Sequence, residues 1–136
     1  MKIFDPRREL LLKSRILFTI NGCEYCKHYL RFIQAVNSKL PMNKRISVVN
    51  CTNYHDYGIV DDRRIPIFLE YYQGSYPTLF INGGIIRGAN SQEELEAWVK
   101  ARLEEDFVLG EDFGFTFEKE CHYVKNKWFG RHIECR

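Results

Sequence analysis

The chain has 136 residues, 45% of them hydrophobic, with ten Phe and eight Tyr; that is enough for one packed core and too apolar for a disordered chain. Twenty basic residues against 18 acidic ones leave a formal charge of +2, a balance that argues against nucleic acid or a membrane surface as partner. No apolar run approaches the roughly 18 residues that a membrane-crossing helix requires. The opening MKIFDPRRELLLKSRILF has charge scattered through it, Lys13 and Arg15 included, and offers no small-residue cleavage site, so it does not read as a secretory signal. The expected location is cytoplasmic. There the five cysteines (Cys23, Cys26, Cys51, Cys121, Cys135) start out reduced, and a structural disulfide framework is disfavoured, in keeping with their odd number.

Along the chain, RILFT (15–19) is a short apolar run ending at Asn21-Gly22, and predicts a buried strand entering a turn. From Glu24 to about Ser38 the apolar positions Cys26, Tyr29, Ile33, Val36 and Leu40 recur at three- and four-residue steps, predicting an amphipathic helix that Pro41 ends. ISVVN (46–50) predicts a second strand, buried and parallel to the first because a helix joins them. A looser stretch from Thr52 to Ser75 contains Pro66, which opens a predicted helix through IFLEYYQ. Thr78–Ile81 then predicts a strand, Asn82-Gly83 a tight hairpin turn, and Ile85–Arg87 the antiparallel return. Ser91-Gln92-Glu93-Glu94 fits a capping box for a helix whose apolar face runs through Leu95, Trp98, Val99, Arg102 and Leu103. The order is β-α-β-α-β-β-α, without internal repeats.

A cysteine just before a helix sees unsatisfied backbone N–H groups and the positive end of the helix dipole. Both favour thiolate, placing Cys23 below the free value of about 8.5. Cys26 lies one turn into the helix on the same side, where its sulfur can reach Cys23 and resolve a mixed disulfide. Glu24 opposes a second negative charge beside the nucleophile, which predicts a less acidic Cys23 and a more reducing couple than a site without that carboxylate. A zinc half-site is the competing reading of Cys23 and Cys26, and its only other spaced ligands are Cys121, His122, His132 and Cys135. Cys51 reads as a core thiol. His28 and His55 read as packing or surface residues.

The CxxC after the first strand, the Tyr-Pro-Thr opening the third and the hairpin followed by a capped helix resemble the thioredoxin superfamily, over roughly residues 14–103. Cys23-Glu24-Tyr25-Cys26 differs at one position from the Cys-Pro-Tyr-Cys of glutaredoxins, and Phe80-Ile81-Asn82-Gly83 reproduces their hairpin. The single strand before the motif is also glutaredoxin-like. Thioredoxins carry a buried acid where this chain has Leu17 and a Trp where it has Gly22, whereas Pro77-Thr78-Leu79 and Gly88-Ala89 are closer to thioredoxin. The resemblance implies a thioredoxin-like three-layer α/β fold, with a mixed sheet of about four strands and flanking helices. It implies a cis Tyr76–Pro77 bond beside Cys23, with the Tyr76 main chain offered to an extended substrate strand and Tyr25 as an aromatic wall. For glutathione, the cation that glutaredoxins place three residues before the first Cys is here Ile20. Arg87 is the candidate replacement, with Gly88 and Asn90 as candidates for the γ-glutamyl end. Substrate or reductant is then a protein or glutathione, supplied through a thiol reductase, with no bound cofactor.

Beyond Leu103 the resemblance stops. Asp112–Val124 alternates well enough for a strand, Lys125-Asn126-Lys127 suits a turn, and Trp128–Cys135 suits a return strand. In such a hairpin Cys121 and Cys135 approach each other. A disulfide, a metal site with His122 or His132, and unlinked thiols all remain open. The expected organisation is a redox domain over residues 1–103 and a β-rich extension over 104–136. The expected activity is thiol–disulfide exchange through the Cys23/Cys26 dithiol. The rival is a thioredoxin-like binding or structural module with a vestigial or metal-filled pair.

Overall fold

The apolar run after Arg15 forms β1 (Ile16–Thr19) in the computed structural model, which describes residues 6–72, 75–104, 121–126 and 130–135. All four of its residues are buried because β1 is an inner strand. It pairs in parallel with β2 (Ser47–Asn50) and antiparallel with β3 (Thr78–Ile81). β3 turns back into β4 (Gly84–Arg87), completing a mixed, open sheet of order β2-β1-β3-β4. The turn uses Asn82 and Gly83 at φ of 47° and 88°, the left-handed pair that an Asn-Gly dipeptide supplies at least cost. It is also clamped from outside. The Gly83 N–H donates to the Leu12 carbonyl (2.9 Å) and Asn82 Nδ2 to the Arg102 carbonyl (2.7 Å).

The α-helices of the described residues are α1 (Pro6–Leu12), α2 (Glu24–Asn37), α3 (Thr52–Tyr57), α4 (Arg64–Tyr72) and α5 (Gln92–Glu104). Strand pleating sorts the core into two halves. On one face Ile16, Phe18, Phe80 and Ile85 pack with Leu11 and Leu12 of α1 and with Ile65, Phe68 and Tyr72 of α4. On the other, Leu17, Leu79, Ile81 and Ile86 pack with Tyr29 and Ile33 of α2 and with Leu95, Trp98 and Val99 of α5. The sheet is thus covered on both faces, which is why its inner strands read as apolar runs rather than alternating ones. No helix among the described residues is long and apolar enough to cross a membrane.

Several sequence expectations are corrected. α4 begins at Arg64, ahead of Pro66, because Asp62 starts it: its carboxylate accepts the Arg64 N–H at 2.9 Å and its carbonyl the Ile65 N–H at 3.1 Å. Pro66 then falls in the first turn, where its missing donor is not needed. β2 is an edge strand, not a buried one; of its residues only Val49 is buried, since β2 has one neighbour. α1 and α3 have no counterpart in the sequence reading. The capping box is present in its N-cap half, with the Glu94 N–H donating to Ser91 Oγ at 3.1 Å.

At the C-terminal end β5 (Cys121–Asn126) and β6 (Gly130–Cys135) pair antiparallel. The part of the expected strand over 112–120 lies outside the described residues, as do 127–129. Lys125 and Asn126 are not the turn. They are paired in the ladder with Arg131 and Gly130, so the register that sets Cys121 opposite Cys135 carries the connection further along the chain.

Candidate active site

Cys23 caps α2. Its backbone is extended (φ −96°, ψ 114°), its Sγ accepts the Cys26 N–H at 3.0 Å and its carbonyl accepts the Lys27 N–H at 3.2 Å. A sulfur so placed takes up one of the orphan donors of the helix start, and in the reduced protein that donor and the helix dipole stabilise a thiolate. Cys26 sits one turn in; the two sulfurs are at disulfide-bonding distance, with Cα atoms 5.2 Å apart. The preceding loop is fixed by side chains from the β2–α3 junction. The Asn21 N–H donates to Thr52 Oγ1 (2.9 Å), and Asn50 Nδ2 donates to Asn21 Oδ1 (2.8 Å). Gly22 follows at φ 82°, a conformation that a side chain would strain.

The Tyr76–Pro77 bond is cis, and Cys23, Cys26 and Tyr76 belong to one buried cluster, with Tyr25 packed against it. The Tyr76 main chain is not open to a visiting strand. Its N–H donates to the Cys121 carbonyl (3.0 Å) and its carbonyl accepts the Cys121 N–H (2.8 Å), an antiparallel bridge to the first residue of β5. Ile133 of β6 lies over Gly22, its Cγ1 only 3.3 Å from where a Cβ would stand. The cysteine pair is only 1% and 3% exposed, and Cys121, fully buried, belongs to the same cluster. A cavity of about 150 Å³ touches both Cys23 and Cys26 from the side of Asn50 and Leu30. A groove of about 570 Å³ runs between α2 and α5 past His28.

Beneath the site runs a polar chain. The Tyr76 hydroxyl is 2.7 Å from His55 Nε2 and also hydrogen-bonds the Cys51 thiol. Burial pushes that thiol up to about 12, with Tyr76 opposing, so Cys51 stays protonated and unreactive as a core thiol should. Burial likewise raises the Tyr76 phenol. Tyr76→Phe takes the shared hydroxyl from both partners and is expected to cost about 1–3 kcal/mol of stability in urea unfolding. Burial lowers the pKa of His55, with Asp56 opposing. The unfolded imidazole gains its proton near pH 6.5 and the folded one only at lower pH, so protonation favours the unfolded chain. This stabilising contribution is intact above about pH 6.5 and is lost as pH falls from there toward the folded pKa. Between about pH 7.5 and 5.5 the thermal midpoint should fall further in the wild type than in His55→Gln.

Of the other candidates, Pro77 and Gly88 are brought together directly, the Gly88 N–H donating to the Pro77 carbonyl at 3.0 Å. Arg87 is half-buried on β4, opposite Thr78. Asn90 turns its amide inward, Nδ2 donating to the Tyr29 hydroxyl and approaching the carbonyls of Arg87 (3.3 Å) and Gly88 (3.4 Å). Of the residues considered for a metal, Cys121 and Cys135 face each other in register, whereas His122 is opposite Glu134 and His132 opposite Val124. Alternation therefore puts the cysteine positions on one face of the ladder and the histidine positions on the other. The sequence reading did not find Cys121 as the partner of Tyr76, nor the His55–Tyr76–Cys51 chain; these contacts join segments far apart in the chain. Comparison with family models, with curated proteins and with solved structures finds no match to this chain.

Proposed function

We propose that the protein is a thiol–disulfide oxidoreductase of thioredoxin-superfamily, glutaredoxin-like type, exchanging disulfides through Cys23 and Cys26. The observation that carries this reading is the pair itself: Cys23 capping α2, Cys26 one turn later at bonding distance, both packed with Tyr76. The mixed four-stranded sheet, order β2-β1-β3-β4 with β1 and β2 parallel and the other pairs antiparallel, supports this reading. In this reading Cys23 is the nucleophile, Cys26 the resolving thiol, and residues 1–103 the redox domain with 104–136 as its extension. It works in a reducing compartment, on protein disulfides or glutathione mixed disulfides, and draws electrons from glutathione or a thiol reductase. Arg87 and Gly88 are the remaining candidates for glutathione, since the Asn90 amide is engaged with Tyr29.

The reading is tested by giving the fully reduced protein insulin and a glutathionylated peptide and measuring reduction of each. Reduction of either, with fast alkylation of Cys23 near neutral pH, supports it. The burial of Cys23 and the occupied Tyr76 edge favour the rival, a thioredoxin-like binding or structural module with a vestigial pair. Failure on both substrates together with slow alkylation would establish that rival instead.

A further inference from the structure

We propose that the C-terminal hairpin is the resident substrate of the Cys23–Cys26 pair, and that Cys121 and Cys135 form a second redox pair exchanging two electrons with it. The inference rests on the oxidoreductase reading and deepens it, by naming an internal disulfide as what the site acts upon. The main-chain groups of Tyr76 are bonded in antiparallel fashion to one residue, and that residue is a cysteine. Cys23, Tyr76 and Cys121 share one buried cluster. Cys121 is a disulfide cysteine, and Cys135 is the residue opposite it. With Tyr123 opposite Ile133, the ladder face that holds the Cys121 and Cys135 positions is also the one that holds Ile133. Ile133 lies over Gly22, next to Cys23. A nucleophile whose partner arrives with its own chain needs no open mouth, which accounts for the near-complete burial of Cys23.

The exchange balances within the chain. From reduced Cys23/Cys26 and oxidised Cys121/Cys135, the Cys23 thiolate attacks the Cys121 sulfur. The Cys23–Cys121 bond forms, the Cys121–Cys135 bond breaks, and Cys135 leaves as a thiolate that takes up a proton. Cys26, having given up its proton, attacks the Cys23 sulfur and releases Cys121 as a thiolate, which is protonated in turn. One dithiol is oxidised and one disulfide reduced, with two electrons transferred and no further reactant. An external dithiol reductant and an external protein disulfide set the direction of net flow.

The test uses the full chain with Cys26→Ser, which blocks the second step. After equilibration in a glutathione thiol–disulfide buffer, free thiols are alkylated and tryptic peptides analysed without reduction. Residues 16–27, 120–125 and 132–136 each fall in one peptide, and each then carries one cysteine. The expected dominant species links 16–27 to 120–125, with Cys135 alkylated. Peptide 120–125 remaining linked to 132–136, with Cys23 alkylated or glutathionylated, would overturn the relay. A second variant, Cys121→Ser with Cys135→Ser, checked for native circular dichroism, is expected to lose about tenfold or more in insulin reduction. Retained or raised turnover would show the hairpin to be a plug, and overturns the relay. Wild-type reduction of insulin separates the two claims. With it, a missing cross-link removes only the relay; without it, and with Cys23 slow to alkylate, the oxidoreductase reading falls as well.

Discussion

Phe18→Ala is expected to lower the free energy of unfolding by about 3–5 kcal/mol. Phe18 is fully buried at the centre of β1, stacked on Phe68 of α4 with ring centroids 4.1 Å apart and edge-on to Phe80 of β3 at 5.8 Å. Phe80 in turn meets Phe68 and Tyr72 edge-on, at 6.3 and 5.0 Å. Removing the ring takes away its own transfer free energy and leaves a void that a helix-backed sheet cannot close by local movement. Against a total stability of about 5–15 kcal/mol for a domain, that is a large fraction. Chemical denaturation checks it, with Val48→Ala as control. Val48 is exposed on the edge strand β2 (43% accessible), and its truncation should change stability by no more than about 0.5 kcal/mol.

The largest expected effect on activity is a split between the two cysteines of the motif. Cys23→Ser should abolish disulfide reduction through the Cys23/Cys26 pair, because a hydroxyl at the N-cap remains protonated near neutral pH. Cys51, the free cysteine among the described residues, is buried and protonated. Cys26→Ser should keep the first attack and lose the intramolecular release, so that Cys23 accumulates in a mixed disulfide, with Cys121 where the hairpin is its partner and with the protein substrate where it is not. Removal of a glutathione moiety by that variant, with free glutathione completing the cycle, would place the enzyme on the glutaredoxin side. Equal loss in both variants on both substrates would instead point to a protein-disulfide reductase. Turnover of insulin and of a glutathionylated peptide, measured side by side, distinguishes these outcomes.

What was legible in the chain was legible because its chemistry is local. Asn82-Gly83 specifies its turn through the φ angles those two residues tolerate, and Ser91 specifies the start of α5 through one hydroxyl. The spacing of Cys26, Tyr29 and Ile33 marks the buried face of α2. What escaped depends on tertiary partners. α3 (TNYHDY) is six polar and aromatic residues with no apolar period, held by the Thr52 N–H bond to Asn50 Oδ1 (2.9 Å) and closed by Gly58 at φ 68°. α1 contains a run of three leucines rather than a helical stripe; only packing on the sheet distinguishes buried Leu11 and Leu12 from exposed Leu10. The hairpin does not follow the turn-forming character of Lys125-Asn126, since the ladder pairs those two residues with Arg131 and Gly130. The burial of Cys23 had no local sign at all. Cys23 shares its buried cluster with Tyr76 and Cys121, and Ile133 lies over the neighbouring Gly22, residues about 50 to 110 positions further along the chain.

The bridge between Tyr76 and Cys121 consists of two hydrogen bonds, and nothing in the four-stranded sheet depends on them for its own ladder. Opening the hairpin would break those two bonds and uncover Cys121 and Ile133 while leaving the sheet ladder intact. In the proposed relay, access to Cys23 would then be a conformational gate. An outside molecule meets the intrinsic reactivity of the thiol multiplied by the fraction of chains that stand open, and a gap of about 2 kcal/mol would slow it roughly thirtyfold. Under that proposal a partner already tethered within the gate would escape that factor, so the contacts that bury the thiol would also rank its reaction partners.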